Sequence, residues 1–260
     1  MLVTTSYAPS PDAEARAKRL AVELGVRYVP RGTSSVRRLG ERYREPHFML
    51  VSERELHYYG DGDAPLFFHP SLSFVRVKRL MNGENDGLIE ITGAKDGDRI
   101  LDCTAGLGAD SIVFSYAAGA EGSVTAVESE PALYTIVKEG LASYETHLEP
   151  FNAAMRRIRM MLGHHLDVLR MMPDDSFDIV YFDPMFRQPV EQSSGIGPLR
   201  QAANHEPLTE EAIREAVRVA RRCVVLKEHR DSDQFAQLGF AQIQRTHSKI
   251  AYGVIHCDNG

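Results

Sequence analysis

Apolar and polar positions follow two regimes along the chain. Over residues 1–69, short apolar runs interleave with polar, helix-forming stretches. Leu2–Thr5, 26–29, 48–52 and Leu56–Tyr59 read as strands. Between the first two, Ser10 stands as an N-cap and Pro11 as the first helical residue of a helix over 11–25. A second helix is predicted over 35–43, and Gly60-Asp61-Gly62-Asp63 makes a turn. This pattern predicts a small α/β appendage.

From residue 70 to residue 260 the periodicity changes to regular alternation. Ser71–Met81 and 86–92 read as helices, and Lys95-Asp96-Gly97-Asp98 turns the chain into a strand at Arg99-Ile100-Leu101-Asp102. Further strands are predicted at 124–127, 159–162, Phe177–Phe182 and 223–226, with helices at 131–144, 149–158 and 210–220 between them. Repeated strand–helix units imply a mostly parallel sheet covered by helices on both faces. The last two strands, 241–246 and Ile250–His256, form a C-terminal antiparallel hairpin.

Composition narrows the class. The apolar and charged fractions, 43% and 25%, are those of a globular protein, and no apolar run has the length of a membrane span. The first residues carry no signal-peptide pattern, and the odd, widely spaced Cys103, Cys223 and Cys257 suit a reducing cytoplasm. Neither a disulfide framework nor a metal centre is expected. A net charge of −6 confines any nucleic-acid contact to a local basic face, for which Arg76, Lys78 and Arg79 are the candidates.

The chemistry begins at Ile100-Leu101-Asp102-Cys103-Thr104-Ala105-Gly106-Leu107-Gly108-Ala109-Asp110. An apolar strand enters a glycine-rich turn and leaves as an apolar helix, so that a ligand can lie against bare backbone. Glu128 follows twenty residues after Gly108, at the end of the next strand, where a carboxylate accepts the two ribose hydroxyls of an adenosine. Position 111 is Ser, so the third glycine of a dinucleotide fingerprint is absent and an NAD-dependent oxidoreductase is the weaker alternative. A non-catalytic cofactor-binding or RNA-binding protein is the other.

The strand Phe177–Phe182 ends in Asp183-Pro184-Met185-Phe186. This resembles the Asp/Asn-Pro-Pro-aromatic signature of S-adenosylmethionine (SAM) enzymes that methylate planar amines. The resemblance implies that Asp183 and the Pro184 carbonyl accept the amine hydrogens while Phe186 stacks on the base. The following 187–207 stretch is long for a connection and reads as a lid or substrate contact.

Together with Glu128-Ser129-Glu130-Pro131, Val224-Val225-Leu226-Lys227 and the weaker 74–80 segment, these motifs resemble the RsmJ-type methyltransferases, which modify the guanine exocyclic amine of small-subunit ribosomal RNA. The resemblance implies a Rossmann-like class I methyltransferase core, SAM as cofactor, and small-subunit ribosomal RNA or the small ribosomal subunit as partner. It puts cofactor contacts at Asp102, Thr104, Gly106, Gly108, Asp110, Glu128, Ser129, His164, His165 and Asp183. His164 and His165 are expected at a strand end, facing opposite sides.

Overall fold

The structure is a computed structural model that describes residues 1–60, 64–184, 206–243 and 248–257. It contains two sheets. The first has the order β2-β1-β3-β4-β5, from β1 (Leu2–Thr5), β2 (Arg27–Tyr28), β3 (Phe48–Val51), β4 (Leu56–Tyr59) and β5 (Leu66–Phe67). Helices α1 (Pro11–Glu23) and α2 (Val36–Tyr43) belong to this unit. The first starts as the sequence predicts, Ser10 Oγ accepting from Ala13 N at 3.2 Å; in the second, Ser35 is the cap and not the first helical residue, its Oγ accepting from Arg38 N at 3.2 Å.

The chain then passes through α3 (Ser71–Met81) and α4 (Gly87–Thr92) into the second sheet. Its order is β11-β12-β10-β9-β6-β7-β8, from β6 (Arg99–Asp102), β7 (Ser123–Glu128), β8 (Ile158–Leu162), β9 (Phe177–Phe182), β10 (Ala220–His229), β11 (Ala241–Ile243) and β12 (Ile250–His256). Strands β6 to β10 run parallel and β12 pairs antiparallel with both β10 and β11. Among the described residues, the helices of this unit are α5 (Ala109–Ala118), α6 (Pro131–Ser143), α7 (Glu149–Arg157), α8 (His165–Met171), α9 (Glu210–Val219) and α10 (Gln234–Gln237).

Successive residues of the central strands separate into two cores, as the two-residue strand period requires. Ile100, Ile179, Tyr181 and Val225 face one side with α5, α6 and α7. Leu101, Val180, Phe182, Val224 and Leu226 face the other, with α8 and α9. The first core also takes in Val3, Leu20, Met49 and Val51, so the two sheets share buried apolar contacts. Phe68 lies on Gly140 of α6, where an added Cβ would come within 2.2 Å of its ring. Arg16 and Arg19 of α1 both pair with Glu139 of α6, at 2.8 and 3.1 Å.

Several elements differ from the sequence reading, among them β5 and α10, which it does not predict. Strand β10 extends well beyond 223–226 because an unbroken register, Cys223↔His256 through His229↔Ile250, pairs its polar end with β12. Helix α8 replaces what reads as a connection.

Candidate active site

Strands β6, β7, β8 and β9 all end at one edge of the parallel sheet, and the turns that leave them converge there. Such an edge is the ligand crevice of a doubly wound sheet. The turn after β6 is stitched to both neighbours: Cys103 N donates to Tyr181 O at 2.8 Å and Ala105 N to Val127 O at 2.9 Å. Gly106 and Gly108 take the left-handed φ values +51° and +75° that glycine tolerates. Asp102 is fully buried and braces the turn from inside, accepting from Thr104 N at 3.1 Å and from Ser111 Oγ at 2.5 Å. Burial pushes its carboxyl up to about 7, against those two hydrogen bonds.

Glu128, at the end of β7, closes the other side. Its Oε2 accepts from Gly106 N at 3.1 Å and its Oε1 from Glu130 N at 3.0 Å, beside Ser129. Burial pushes this carboxyl up to about 7. A carboxylate offers about four acceptor sites, and the capacity left over suits a ribose hydroxyl. The open glycine backbone beside a fixed carboxylate is a donor and acceptor set that fits the adenosine part of SAM.

At the end of β9, Asp183 N donates to Thr104 Oγ1 at 2.5 Å, tying the Asp-Pro turn to the glycine turn. Asp183 Oδ2 accepts from Lys227 Nζ at 2.6 Å, and the same ammonium reaches Asp110 Oδ2 at 2.9 Å. Tyr181 Oη donates to Asp110 Oδ2 at 2.7 Å, and Arg76 pairs with Asp110 Oδ1. Arg76 also grips Asp86 through two bonds of 2.8 Å. Three carboxylates thus share two cations. Burial pushes Asp183 up to about 6 despite the Lys227 ammonium, with the Asp110 carboxylate adding to the push. Asp110 itself is held well below the usual carboxylate range: the Lys227 and Arg76 charges outweigh its burial.

His164 and His165 lie together rather than on opposite sides of a strand. His164 caps α8, its Nδ1 accepting from Leu166 N at 3.4 Å, and a helix start turns both rings to one side, 4.0 Å apart. His165 packs edge-on to Phe182, and burial lowers it to about 4. Arg76 is also corrected: it is an internal ion-pair residue of α3 and not a solvated phosphate contact. Arg79 pairs with Glu84 at 2.8 Å, and Lys78 is exposed. Met185, Phe186 and the 187–205 stretch lie outside the described residues.

The sequence reading missed the role of Lys227. Its position after the apolar run Val224-Val225-Leu226 was the available signal, since a lysine ending a buried parallel strand stands at the crevice. Tyr181 reads only as a strand residue and Ser111 only as the missing third glycine, so neither contact was signalled.

The family profile described as "Putative SAM-dependent methyltransferase" matches residues 68–249. The chain belongs to this family. The methyltransferase is 42% identical to YpiP of Bacillus subtilis, described as an uncharacterized protein, over 98% of each chain. It is 32% identical to ribosomal RNA small subunit methyltransferase J of Ectopseudomonas mendocina over 111 residues, 42% of this chain and 41% of that protein. The RsmJ-type resemblance is thus matched by similarity that spans less than half of either chain. Among solved structures, the SAM-dependent methyltransferase NGO1261 from Neisseria gonorrhoeae superposes over 100% of this methyltransferase and 97% of its own chain, with a TM-score of 0.67 at 15% identity, and shares its fold. SAM is the cofactor.

Proposed function

We propose that this methyltransferase acts on an exocyclic amine of RNA, with guanine N2 of small-subunit ribosomal RNA as the first candidate. The observation that carries the reading is Asp183-Pro184 at the carboxyl end of β9, fastened to the glycine turn through Thr104 and to β10 through Lys227. The local similarity to ribosomal RNA small subunit methyltransferase J supports the substrate class.

Such an amine is a poor nucleophile because its lone pair is delocalised into the base. Lys227 takes Asp183 Oδ2, which leaves Oδ1, together with the Pro184 carbonyl, to accept the two amine hydrogens. Holding both hydrogens in that plane turns the nitrogen lone pair outward, and the rate gain comes from positioning and electrostatics. Bound SAM supplies an electrophilic methyl on a sulfonium. The Asp183 carboxylate would take the proton that the amine gives up on accepting that methyl. The cluster's carboxylate in excess of its cations favours a positively charged sulfonium nearby. Glu128 would hold the ribose, and Asp110 would act through Lys227 by keeping the ammonium against Asp183.

The experiment is a nucleoside mass profile of ribosomal RNA from cells with and without the gene. N2-methylguanosine at one small-subunit position is expected to disappear with the gene and return with it. An unchanged profile, with label from SAM entering protein or a small amine instead, would end the ribosomal reading.

A further inference from the structure

We propose that the outer face of the N-terminal unit, formed by α2 and the aromatic edge of β4 and β5, is a docking surface for single-stranded RNA. This rests on the RNA reading above. Residues 27–45 hold Arg27, Arg31, Arg37, Arg38, Arg42 and Arg44 against only Glu41 and Glu45, in a chain whose net charge is −6. All but Arg31 are exposed. Helix α2 buries only Leu39, so packing does not require this arginine face. Glu41 takes Arg37, at 3.2 Å. The guanidiniums of Arg27 and Arg42 stand over the Tyr43 ring, at 5.8 and 5.6 Å from its centroid.

Rings lie beside this charge. Tyr59 packs in the small core under α2, with Phe48 and Leu39. The strand period puts His57 on the same face of β4, and register pairs His57 with Phe67 of β5. The two rings meet edge-on at 5.3 Å, with Phe67 39% exposed, and His69 stands 6.5 Å beyond. An open depression of about 700 Å³ runs alongside, lined by Arg37, Arg44, Phe48 and Tyr59 among others. Cations that track phosphates next to rings that stack bases are the make-up of a single-strand surface. An acidic protein would engage the arginines and leave the rings idle. On α3 Arg76 and Arg79 are already ion-paired, so that helix offers no comparable cluster of arginines.

The test uses the full chain, with a labelled oligouridine of about twenty nucleotides, an oligoglutamate of matching charge, and S-adenosylhomocysteine as the control ligand. In the Arg38→Glu, Arg42→Glu double variant, oligouridine affinity should fall at least about tenfold near 0.1 M salt. The slope of log affinity against log salt should flatten by about 1.4, two phosphates' worth. Phe67→Ala should weaken oligouridine about tenfold and leave oligoglutamate unaffected. S-adenosylhomocysteine binding stays unchanged in both variants, which also reports that they fold. If wild type and the double variant bind RNA equally, the surface is wrong while the RNA reading stands. If wild type binds S-adenosylhomocysteine but no RNA, both fail. Oligoglutamate bound as tightly as oligouridine would assign the surface to an acidic protein instead.

Discussion

Lys227 spends its single charge on two buried carboxylates, Asp110 and Asp183, and this makes it the residue whose loss has the widest consequence. Lys227→Met preserves the stem and removes the charge, leaving two carboxylates facing each other in the crevice. We expect a loss of roughly 3 kcal/mol in unfolding free energy, typical of breaking a buried ion pair, and a larger proportional loss in kcat than in SAM affinity. Urea unfolding with parallel single-turnover kinetics checks this, and an unchanged kcat would remove Lys227 from the account. Titration gives a second expectation. Burial pushes Asp183 up to about 6, so below that pH the proposed amine acceptor would be protonated and accept a hydrogen poorly. The kcat at saturating SAM should therefore rise with pH through about 6 and level off. Asp183→Asn, which keeps an acceptor but cannot ionise, should show a lower and flat profile. Burial pushes Glu128, the proposed ribose holder, up to about 7. SAM affinity should improve as pH rises through about 7, and Glu128→Gln should abolish that dependence and weaken binding by about 1–3 kcal/mol. Calorimetry across pH separates the two, and a Glu128→Gln variant that keeps the full pH dependence would contradict the ribose assignment.

Between elements, the junction of the two sheets rests on Gly140. Replacing a helical glycine by alanine ordinarily gains about 1 kcal/mol, but here the new methyl would strike the buried Phe68 ring. Overpacking costs about 1–3 kcal/mol, so Gly140→Ala should lower Tm, whereas propensity alone would raise it. Most elements were legible from period and capping: Ser10-Pro11, Ser35 and the Phe177–Phe182 run each mark an element boundary in the structure. What escaped was non-local. The polar end of β10 is a strand only because β12 pairs with it, and α8 is a short helix whose apolar positions Val168 and Leu169 find their partners in the second core. The site behaved likewise. Gly106, Gly108, Glu128 and Asp183 announce themselves by spacing, but the cation that serves Asp183 comes from a strand more than forty residues away, and nothing local to Asp183 signals it.

For the molecule as a whole, burial and charge pull in different directions. Val3 and Met49 of the first sheet share one apolar cluster with Ile100 of the second sheet and Ile136 of α6, so the two units should unfold as one. The chain has no tryptophan, so tyrosine fluorescence and far-ultraviolet circular dichroism serve as the probes. Their transitions in urea should coincide, and separate midpoints would mean that the N-terminal unit is held only loosely. Its charge is a separate matter, because an acidic chain can approach RNA only where arginines gather.

The proposed division of roles gives the amine to Asp183 and the cofactor to Glu128 and the glycine turn. Its most direct test is Asp183→Ala, compared with wild type in single-turnover methyl transfer to unmodified small subunits and in S-adenosylhomocysteine calorimetry. Transfer is expected to slow by at least about a hundredfold, with cofactor affinity much less affected. Transfer near the wild-type rate would contradict that division.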